Sequence, residues 1–303
     1  MEQVDILIVG GGCAGLTAAV YGARAGKTVL VLEGQSIGGQ ISSSPRVENY
    51  PGFTEISGME FSDRLYNQAV ALGVRLDFDT VKQASLLSDG SILLTGEYGE
   101  YRGKSLIVAA GAKHRHLGLD REEALTGKGV SYCAICDGAF YKGKAAAVVG
   151  GGSSALQSAE LLCGYCSKVY LIHRRDCFRG EEQLVKRLKQ KQNIEFVLNS
   201  NVVQLLGQEK LEGIVAADKN SRTQRVLEVS GLFIAVGQEP QNGVFQELVD
   251  LDEYGYILAG EDCVTKTAGV FAAGDCRTKQ VRQLTTAAAD GSVAALAAVQ
   301  FCQ

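Results

Sequence analysis

The sequence lacks any apolar run that approaches the roughly 20 residues needed to cross a bilayer. It also lacks low-complexity segments and long runs of like charge. Its first residues, MEQVDILIVGGG, carry acids where a secretory signal would carry basic residues. The net charge of −4 gives no basic excess for general nucleic-acid binding. We therefore expect a cytoplasmic globular protein that binds neither membranes nor nucleic acid.

Proline is scarce, with three residues, whereas glycine is abundant, with 37. This balance favours tight turns around phosphates over flexible linkers. The nine cysteines are an odd number in a chain without a recognisable signal peptide, which argues against a secreted disulfide framework. Most of them are expected to be reduced, buried thiols.

The segment DILIVGGGCAGLTAAVYGARAGKTVLVLEG is typical of a strand, a glycine-rich turn, a helix and a second strand. Gly10 permits the tight turn, Gly12 lets the backbone approach a pyrophosphate, and Gly15 lets helix and strand pack closely. The N–H groups at the helix start would face the phosphates. Glu33 ends the second strand, where it can accept hydrogen bonds from an adenosine ribose. The segment predicts a dinucleotide site.

The same pattern returns without a gap in KAAAVVGGGSSALQSAELLCGYCSKVYLIHRR. One constant offset relates three pairs of turn positions: Gly10 and Gly150, Gly12 and Gly152, and Gly15 and Ala155. It also places His173 where the first unit has Glu33. An acid there repels a 2′-phosphate, whereas His173 and the arginines after it offer donors for one. These arginines are Arg174, Arg175 and Arg179. The second unit predicts NADP selection, the alternative being a solvated basic turn.

Two nucleotide sites in one chain predict two different carriers, because hydride must pass from one to the other. FAD at the first unit and NADPH at the second is the economical assignment. A third segment, AGVFAAGDCRTKQVRQLTTAAADGSVAALAAVQF, begins with a short strand ending in Gly274-Asp275 and continues as a helix from about Thr285. Asp275 can hold the ribityl or phosphate portion of the flavin, and the helix start near Gln283 can favour its anionic reduced form. Taken alone, this segment is equally compatible with a buried C-terminal helix.

SYCAICDGAFY separates Cys133 and Cys136 by two residues and places Asp137 next to them. Such a pair can be half of a zinc site, a structural disulfide or a dithiol that carries electrons. The redox interpretation is favoured because Asp137 can act as general acid for the departing thiolate and as base for the incoming thiol. The alternative for Asp137 is a helix N-cap.

A second CxxC, Cys163 to Cys166, gives the zinc alternative its basis. These two cysteines align with Ala23 and Gly26 of the first unit, at the last turn of a helix and the turn after it. A zinc site would have to sacrifice the nucleotide unit that lies between the two pairs. We therefore predict no metal site, a helix-packing role for Cys163, and no more than a turn position for Cys166.

The chain resembles low-molecular-weight bacterial thioredoxin reductases over essentially its whole length. The resemblance rests on GGGCAGLTAAVYGARAG, IGGQISSSPRVENYPGF, VAAGA, CAICDGAFYKGK, VVGGGSSA, LIHRRDCFR and GVFAAGDCRTKQVRQLTTAAADG. It implies an α/β fold of two Rossmann-like, three-layer ββα dinucleotide-binding domains, with the NADPH domain inserted into the FAD domain. The FAD domain would comprise residues 1–113 and 240–303, and the NADPH domain with its redox CxxC residues 114–239. The linkers would be GAKHRHLGLD and GQEPQNG.

Carried over by position, the resemblance implies three sets of site residues. The catalytic set would be Cys133, Cys136 and Asp137. The FAD set would be Gly10, Gly12, Ala14, Gly15, Glu33, Gly38, Gly39, Gln40, Asn49, Ala110, Gly111, Gly274, Asp275, Arg282, Gln283 and Leu284. The NADPH set would be Gly150, Gly152, Ser153, Ser154, Ala155, His173, Arg174, Arg175 and Arg179. The sequence departs from the family pattern at Gln157 and Ser158, where acids are usual, and at Gln238, where histidine is common.

The resemblance further implies a homodimeric, NADPH-dependent thioredoxin-disulfide reductase. Hydride would pass from NADPH to FAD, then electrons to the Cys133–Cys136 disulfide, and thiol-disulfide exchange would reduce oxidised thioredoxin. Rotation of the inserted domain about its two linkers would let the flavin meet the nicotinamide and the cysteine pair in turn. Which cysteine attacks the partner stays open.

Three other functions are compatible with the same fold. They are a ferredoxin-dependent thioredoxin reductase, an NAD(P)H oxidase or peroxiredoxin-linked flavoprotein, and a non-catalytic flavin or nucleotide sensor. The intact HRRDCFR segment argues against ferredoxin as the donor.

Overall fold

The computed structural model describes residues 3–303, which form two compact units. One unit consists of the described residues up to Lys113 together with Glu239–Gln303, and the other of His114–Gln238. The first boundary coincides with the one expected from the sequence, and the second lies one residue earlier.

The helices and strands follow one another in three stretches. The first contains β1 (Gln3–Val9), α1 (Cys13–Arg24), β2 (Val29–Glu33), α2 (Gly58–Ala71), β3 (Arg75–Phe78), β4 (Gln83–Leu86), β5 (Ile92–Thr95), β6 (Glu100–Val108) and β7 (Ala112–His114). The second contains α3 (Glu122–Leu125), β8 (Val130–Ser131), α4 (Ala134–Asp137), β9 (Ala145–Val149), α5 (Ser153–Cys163), β10 (Lys168–Ile172), α6 (Glu182–Lys189), β11 (Ile194–Val197), β12 (Ser200–Leu206), β13 (Gly213–Asp218), β14 (Gln224–Leu227) and β15 (Gly231–Ile234). The third contains β16 (Gln238–Pro240), β17 (Val270–Ala272) and α7 (Leu284–Phe301).

The first unit is built on a seven-stranded sheet of order β3-β2-β1-β6-β5-β4, with β17 also paired to β6. Strands β1, β2, β3, β6 and β17 run parallel, whereas β4 and β5 add an antiparallel extension. Parallel strands end at the same edge of a sheet, so the turns that follow β1, β6 and β17 come together there. Gly10, Gly111 and Gly274, which are predicted flavin residues, lie in these turns.

The second unit repeats the arrangement with a five-stranded parallel sheet of order β11-β10-β9-β15-β8. Its first four strands occupy the places that β3, β2, β1 and β6 occupy in the first unit. A separate antiparallel sheet of β12, β13 and β14 lies in the chain between β11 and β15, just as β4 and β5 lie between β3 and β6. The predicted α/β fold with two Rossmann-like units is confirmed.

Local sequence explains where the main elements begin and how they bury their side chains. Along β1, Ile6 and Ile8 belong to the core on one face of the sheet, and Leu7 belongs to the core on the other. Both faces are covered, as expected for parallel strands with nearly continuous apolar sequence. Helix α2 begins after Ser57, whose side chain accepts a hydrogen bond from the N–H of Glu60 at 3.1 Å.

Among the described residues, α7 is long and apolar enough to cross a membrane by length and composition alone. One such helix is weak evidence, because a core helix of a soluble protein passes the same test. Asp290 lies within this helix, and its carboxylate is paired with Arg277 at 2.9 Å and Lys279 at 2.8 Å. We therefore assign α7 to the core of the first unit, where it packs against α1.

Helices α1 and α7 approach so closely that a side chain on Gly291 has no room. A Cβ atom added there would lie 2.3 Å from the carbonyl oxygen of Ala14. We predict that Gly291→Ala destabilises the first unit by about 1–3 kcal/mol, because the backbone clash outweighs the gain in helix propensity of about 1 kcal/mol. Thermal unfolding followed by circular dichroism measures the effect.

Gly243→Ala is the matched control, because a Cβ atom at Gly243 would meet nothing within 4 Å. Its unfolding midpoint should stay close to that of the unmodified chain. Equal midpoints for the two variants would contradict the packing described for α1 and α7.

Candidate functional site

The first glycine-rich turn brings the backbone of β1 against the end of β6. Gly10 has a φ of 109°, and a Cβ atom there would lie 2.3 Å from the carbonyl oxygen of Ala109. Gly12 precedes α1, which no side chain caps. A Cβ atom on Gly12 would meet only the Gly38 carbonyl, at 3.7 Å. The turn thus leaves an open cradle beside unsatisfied helix N–H groups, which suits a pyrophosphate.

Glu33 lies beside this turn and is buried. Its Oε2 accepts a hydrogen bond from the Gly11 N–H at 2.6 Å, and its Oε1 accepts one from the Gln35 N–H at 2.7 Å. Each carboxylate oxygen has a second lone pair. The backbone therefore fixes the orientation of a carboxylate that can still accept ribose hydroxyls.

The loop after β2 joins the same edge of the sheet. The Gly38 N–H donates to the Gly11 carbonyl at 2.8 Å, and Gly38 has a φ of 92°, which favours glycine. The Gln40 side chain donates to the Ala112 carbonyl, just after Ala110 and Gly111. Gly39 and Gln40 are the first two residues of a short 3₁₀ helix, Gly39–Ser43.

The C-terminal segment completes the cluster of predicted flavin residues. A Cβ atom on Gly274 would lie 2.9 Å from the Cβ of Ala14 in the first turn of α1. The Asn49 side chain donates to Gln283 at 3.2 Å. Gln283 is the N-cap of α7, which begins at Leu284, so the helix predicted to start near Gln283 is confirmed.

Asp275 gives a direct test of whether this region fits a flavin nucleotide. Its Oδ1 is buried and has no hydrogen-bond partner among residues 3–303. Burial raises the pKa of its carboxyl group. A buried oxygen without a partner is costly, and a hydroxyl donor would satisfy it. A polyol chain such as that of FAD fits this requirement.

Arg282 makes several contacts within the protein that the sequence did not predict. Its three guanidinium nitrogens donate to the carbonyl oxygens of Asp275 at 3.4 Å, Lys279 at 3.1 Å and Arg277 at 3.3 Å. The guanidinium also lies 4.2 Å from the centre of the Tyr256 ring. Arg282 therefore holds the loop before α7, and its expected contact with the flavin stays a prediction.

The second glycine-rich turn has the geometry of the first. A Cβ atom on Gly150, which has a φ of 154°, would lie 2.3 Å from the carbonyl oxygen of Ala235. Gly152 precedes α5, has no side-chain cap and would have open space around a Cβ atom. Ser153, Ser154 and Ala155 form the first turn of this helix. The second unit therefore offers a second pyrophosphate cradle.

His173 differs from the neighbouring arginines because its side chain is buried. The ring is buried, stacks on Phe178 with centroids 5.3 Å apart, and its Nε2 has no hydrogen-bond partner among the described residues. Burial lowers the pKa of His173, and the positive charges of the arginines lower it further. A neutral His173 can offer its free nitrogen to a ligand, in the place that Glu33 has in the first unit.

The three predicted arginines are exposed. The described part of the chain contains no salt bridge to any of them: Arg174, Arg175 and Arg179. The Arg179 N–H donates to the Gly151 carbonyl at 2.8 Å, which brings the arginine segment against the glycine-rich turn. The cluster therefore offers uncompensated positive charge beside the second cradle.

The CxxC segment holds a disulfide between Cys133 and Cys136, whose Cα atoms are 5.3 Å apart. Cys133 is the N-cap of α4, and its sulfur accepts a hydrogen bond from the Cys136 N–H at 3.2 Å. Cys163 and Cys166 are free thiols, and residues 3–303 contain no cluster suited to a metal ion. Cys166 is buried in the core of the second unit rather than only a turn residue.

Asp137 ends the short helix α4 and is also the N-cap residue of the 3₁₀ helix Gly138–Tyr141 that follows. Its side chain makes no capping hydrogen bond there, so the N-cap position does not account for the carboxyl group. Its Oδ2 instead accepts a hydrogen bond from the Ser131 hydroxyl at 2.6 Å. Burial raises the pKa of Asp137, and this hydrogen bond opposes the rise. The carboxyl group is thus tuned by two opposing effects beside the disulfide.

Asp290 is a buried acid that sequence reasoning missed. Its carboxylate accepts hydrogen bonds from the Gly274 N–H at 2.9 Å, the Arg277 Nε at 2.9 Å and the Lys279 Nζ at 2.8 Å. Burial acts to raise the pKa of Asp290, but these donors together hold it below its usual range. A single acid within an apolar helix was the available signal, because such a group needs partners.

Comparison with known proteins gives consistent matches over nearly the whole chain. Residues 4–291 match the family model described as pyridine nucleotide-disulphide oxidoreductase. The chain is 39% identical over 301 residues to a 34.2 kDa protein in the rubredoxin operon of Clostridium pasteurianum, covering 99% of this chain and 97% of that one. It is 41% identical over 293 residues to a thioredoxin reductase from Mycoplasma genitalium, covering 96% and 93%.

A solved structure agrees with these relatives. The thioredoxin reductase from Streptococcus pyogenes MGAS5005 superposes with a TM-score of 0.94 at 35% sequence identity, covering 99% of this chain and 98% of that chain. Sequence and structure comparisons therefore select the same group of proteins.

The Asp290 cluster predicts that Asp290→Asn loosens the turn that carries Asp275. The substitution leaves Arg277 and Lys279 buried without their carboxylate, so we expect a loss of about 3 kcal/mol in unfolding free energy. Because the same turn contributes to the candidate flavin site, flavin absorbance per chain after gel filtration should also fall. Denaturant unfolding at neutral pH measures the first effect.

Glu261→Gln is the control, because Glu261 also pairs with Arg277 but its side chain is 94% exposed. Its effect should be close to zero. The folded-state pKa of Asp290 is depressed, so its stabilisation is present above the unfolded pKa of about 3.9 and is lost as the pH falls through the folded value. A difference between Asp290→Asn and the unmodified chain that grew on acidification would contradict this account.

Proposed function

Because the chain belongs to the pyridine nucleotide-disulphide oxidoreductase family and, within it, to the thioredoxin reductases, we propose that it reduces the disulfide of oxidised thioredoxin with electrons from NADPH. The observation that carries the proposal is the disulfide of Cys133 and Cys136, which lies beside the half-buried acid Asp137 in a unit that also contains a glycine-rich nucleotide turn. A structural disulfide has no need of such an acid, whereas thiol-disulfide exchange does.

FAD is assigned to the first unit. Gly10, Gly12 and Gly15 would hold its pyrophosphate, Glu33 its adenosine ribose, and Asp275 the ribityl portion through the unpartnered Oδ1. When bound, FAD supplies the two-electron carrier between a nicotinamide and a disulfide. The remaining predicted flavin residues lie on the same edge of the sheet.

NADPH is assigned to the second unit. Gly150 and Gly152 would hold its pyrophosphate as their counterparts do in the first unit. The uncompensated charge of the three exposed arginines would bind the 2′-phosphate. The free nitrogen of His173 suits a ribose hydroxyl better than a phosphate, because a neutral ring with its other nitrogen bonded to a backbone carbonyl presents a lone pair.

The cysteines and Asp137 would carry out the exchange step. In the dithiol form, one cysteine gives its proton to Asp137 and attacks the partner disulfide, which forms a mixed disulfide and releases a partner thiolate. Asp137 returns the proton to that thiolate. The second cysteine then gives its proton to Asp137 and attacks the mixed disulfide, which restores the Cys133–Cys136 bond and releases the second partner thiolate, and Asp137 passes the proton to it. Two electrons pass to the partner in total.

The cellular setting follows from the same chemistry. Seven cysteines are free thiols, which is typical of a reducing compartment, so we place the protein in the cytoplasm. The homodimer implied by the family resemblance stays a prediction. The ferredoxin-dependent alternative is disfavoured, because a ferredoxin enzyme has no use for the arginine cluster beside the second turn.

The proposed electron path predicts the outcome of an anaerobic titration. NADPH should bleach the flavin absorbance of the purified protein, and oxidised thioredoxin should restore it. Cys133→Ser should still be bleached by NADPH but should lose thioredoxin reduction, because its remaining thiol cannot form the intramolecular disulfide. Absence of bleaching would refute the NADPH assignment, and full thioredoxin reduction by Cys133→Ser would refute the dithiol mechanism.

The arginine cluster predicts the choice between NADPH and NADH. A double variant of Arg174→Gln and Arg175→Gln should raise the KM for NADPH by about 10–100-fold, since two charge-assisted contacts are lost. The KM for NADH, which has no 2′-phosphate, should change little. Lys219→Gln removes an exposed charge elsewhere in the second unit and is the control. A parallel rise in both KM values would contradict the assignment.

A further inference from the structure

Ser131 connects the first cysteine to the neighbouring acid through one buried hydroxyl. The residue is buried, and its Oγ lies 2.6 Å from Asp137 Oδ2. The same Oγ accepts a hydrogen bond from the Cys133 N–H at 3.0 Å. Ser131 Oγ is therefore hydrogen-bonded to both the backbone of Cys133 and the carboxyl group of Asp137.

The direction of these hydrogen bonds follows from the number of protons available. A serine hydroxyl has one hydrogen, and it can go either to Asp137 Oδ2 at 2.6 Å or to the Cys133 carbonyl at 3.4 Å. The short distance and the charged acceptor favour Asp137. Among the described residues, Ser131 is the one side chain that is hydrogen-bonded to the Asp137 carboxyl group.

Ser131 is also anchored by the sheet, outside the cysteine segment. It is the last residue of β8, where it pairs with Phe233 of the buried strand β15. Strand β15 is in turn paired with β9 in the centre of the sheet. The sheet therefore anchors Ser131 through contacts that do not involve the Cys133–Cys136 bond.

We propose that Ser131 is the positioning residue of the dithiol centre, whose hydroxyl holds the Asp137 carboxyl group beside Cys133 in the orientation needed for proton transfer. This inference rests on the proposed function, in which Asp137 takes a proton from a cysteine thiol and gives it to the departing partner thiolate. Ser131 itself neither gains nor loses a proton in the exchange.

Removal of the Ser131 hydroxyl should change the pKa of Asp137. Burial raises the pKa of Asp137, and the Ser131 hydrogen bond is the opposing effect. In Ser131→Ala, burial acts unopposed, so the pKa of Asp137 should rise further. The alkaline limb of the exchange reaction should move upward with it, since Asp137 must be protonated to release the thiolate.

The experiment compares four holoenzyme variants: Ser131→Ala, Ser131→Thr, Asp137→Asn, and the double variant of Ser131→Ala and Asp137→Asn. Each is assayed for anaerobic bleaching by NADPH and for turnover across pH. The substrates are oxidised thioredoxin and bis(2-hydroxyethyl) disulfide, an alkyl disulfide that needs no docking surface. Bleaching reports folding and flavin content, which Ser131→Ala should leave unchanged.

We expect Ser131→Ala to lower turnover about 10-fold and to shift the alkaline limb upward with both disulfides. Ser131→Thr keeps the hydroxyl and should restore the pH profile of the unmodified enzyme. In the Asp137→Asn background the substitution at Ser131 should have no further effect, because the group that it positions is gone.

Two outcomes would overturn the proposal. An unchanged pH profile for Ser131→Ala would show that the hydroxyl does not act on Asp137. Full additivity of the two substitutions would show that Ser131 has only a structural role. Failure of the unmodified enzyme to reduce thioredoxin, with the alkyl disulfide still reduced and the Ser131 effects intact, would instead contradict the proposed partner and leave the role of Ser131 supported.

Discussion

The whole structure depends on a close contact between a glycine and the carbonyl group that follows a neighbouring strand. In each unit a Cβ atom on the first turn glycine, Gly10 or Gly150, would lie 2.3 Å from such an oxygen, on Ala109 or Ala235. Only glycine permits this approach together with a positive φ. The contact turns the chain sharply enough for a helix to begin at once, which leaves its N–H groups facing an open cradle. Both candidate nucleotide sites follow from this one steric constraint.

The two units share this scaffold but differ in chemistry where their second strands end. Glu33 is anchored by two backbone N–H groups and presents carboxylate lone pairs. His173 is buried and neutral, and the positive charge near it belongs to the exposed arginines. The burial of His173 explains why it cannot share the role of the arginines: a charged imidazole would be disfavoured by both desolvation and its neighbours. The proposed choice of ligand thus depends on solvent access as much as on residue type.

The sequence predicts those features that local spacing determines. The glycine spacing and the apolar strands on either side are sufficient to place β1, α1 and β2, and the gapless repeat then places β9, α5 and β10. The links of Asp290 to Gly274 and of Ser131 to Asp137 could not be predicted in this way. Each depends on how the folded chain packs, and a serine or an aspartate has many possible partners at any given spacing. Arg282 shows the same limit, because its three carbonyl contacts come from the path of a loop.

The environment of Asp137 suits the proposed role, in which one carboxyl group serves both directions of proton transfer. A fully solvated aspartate would be ionised at neutral pH and could accept a proton but rarely return one. A fully buried aspartate without a donor would hold its proton too firmly to act as a base. Burial and the Ser131 hydroxyl act on the pKa of Asp137 in opposite directions, so the carboxyl group avoids both extremes. Ser131 is paired with Phe233 of β15, so this balance has an anchor outside the cysteine pair. An acid that must act at each stage of the exchange requires such an independent anchor.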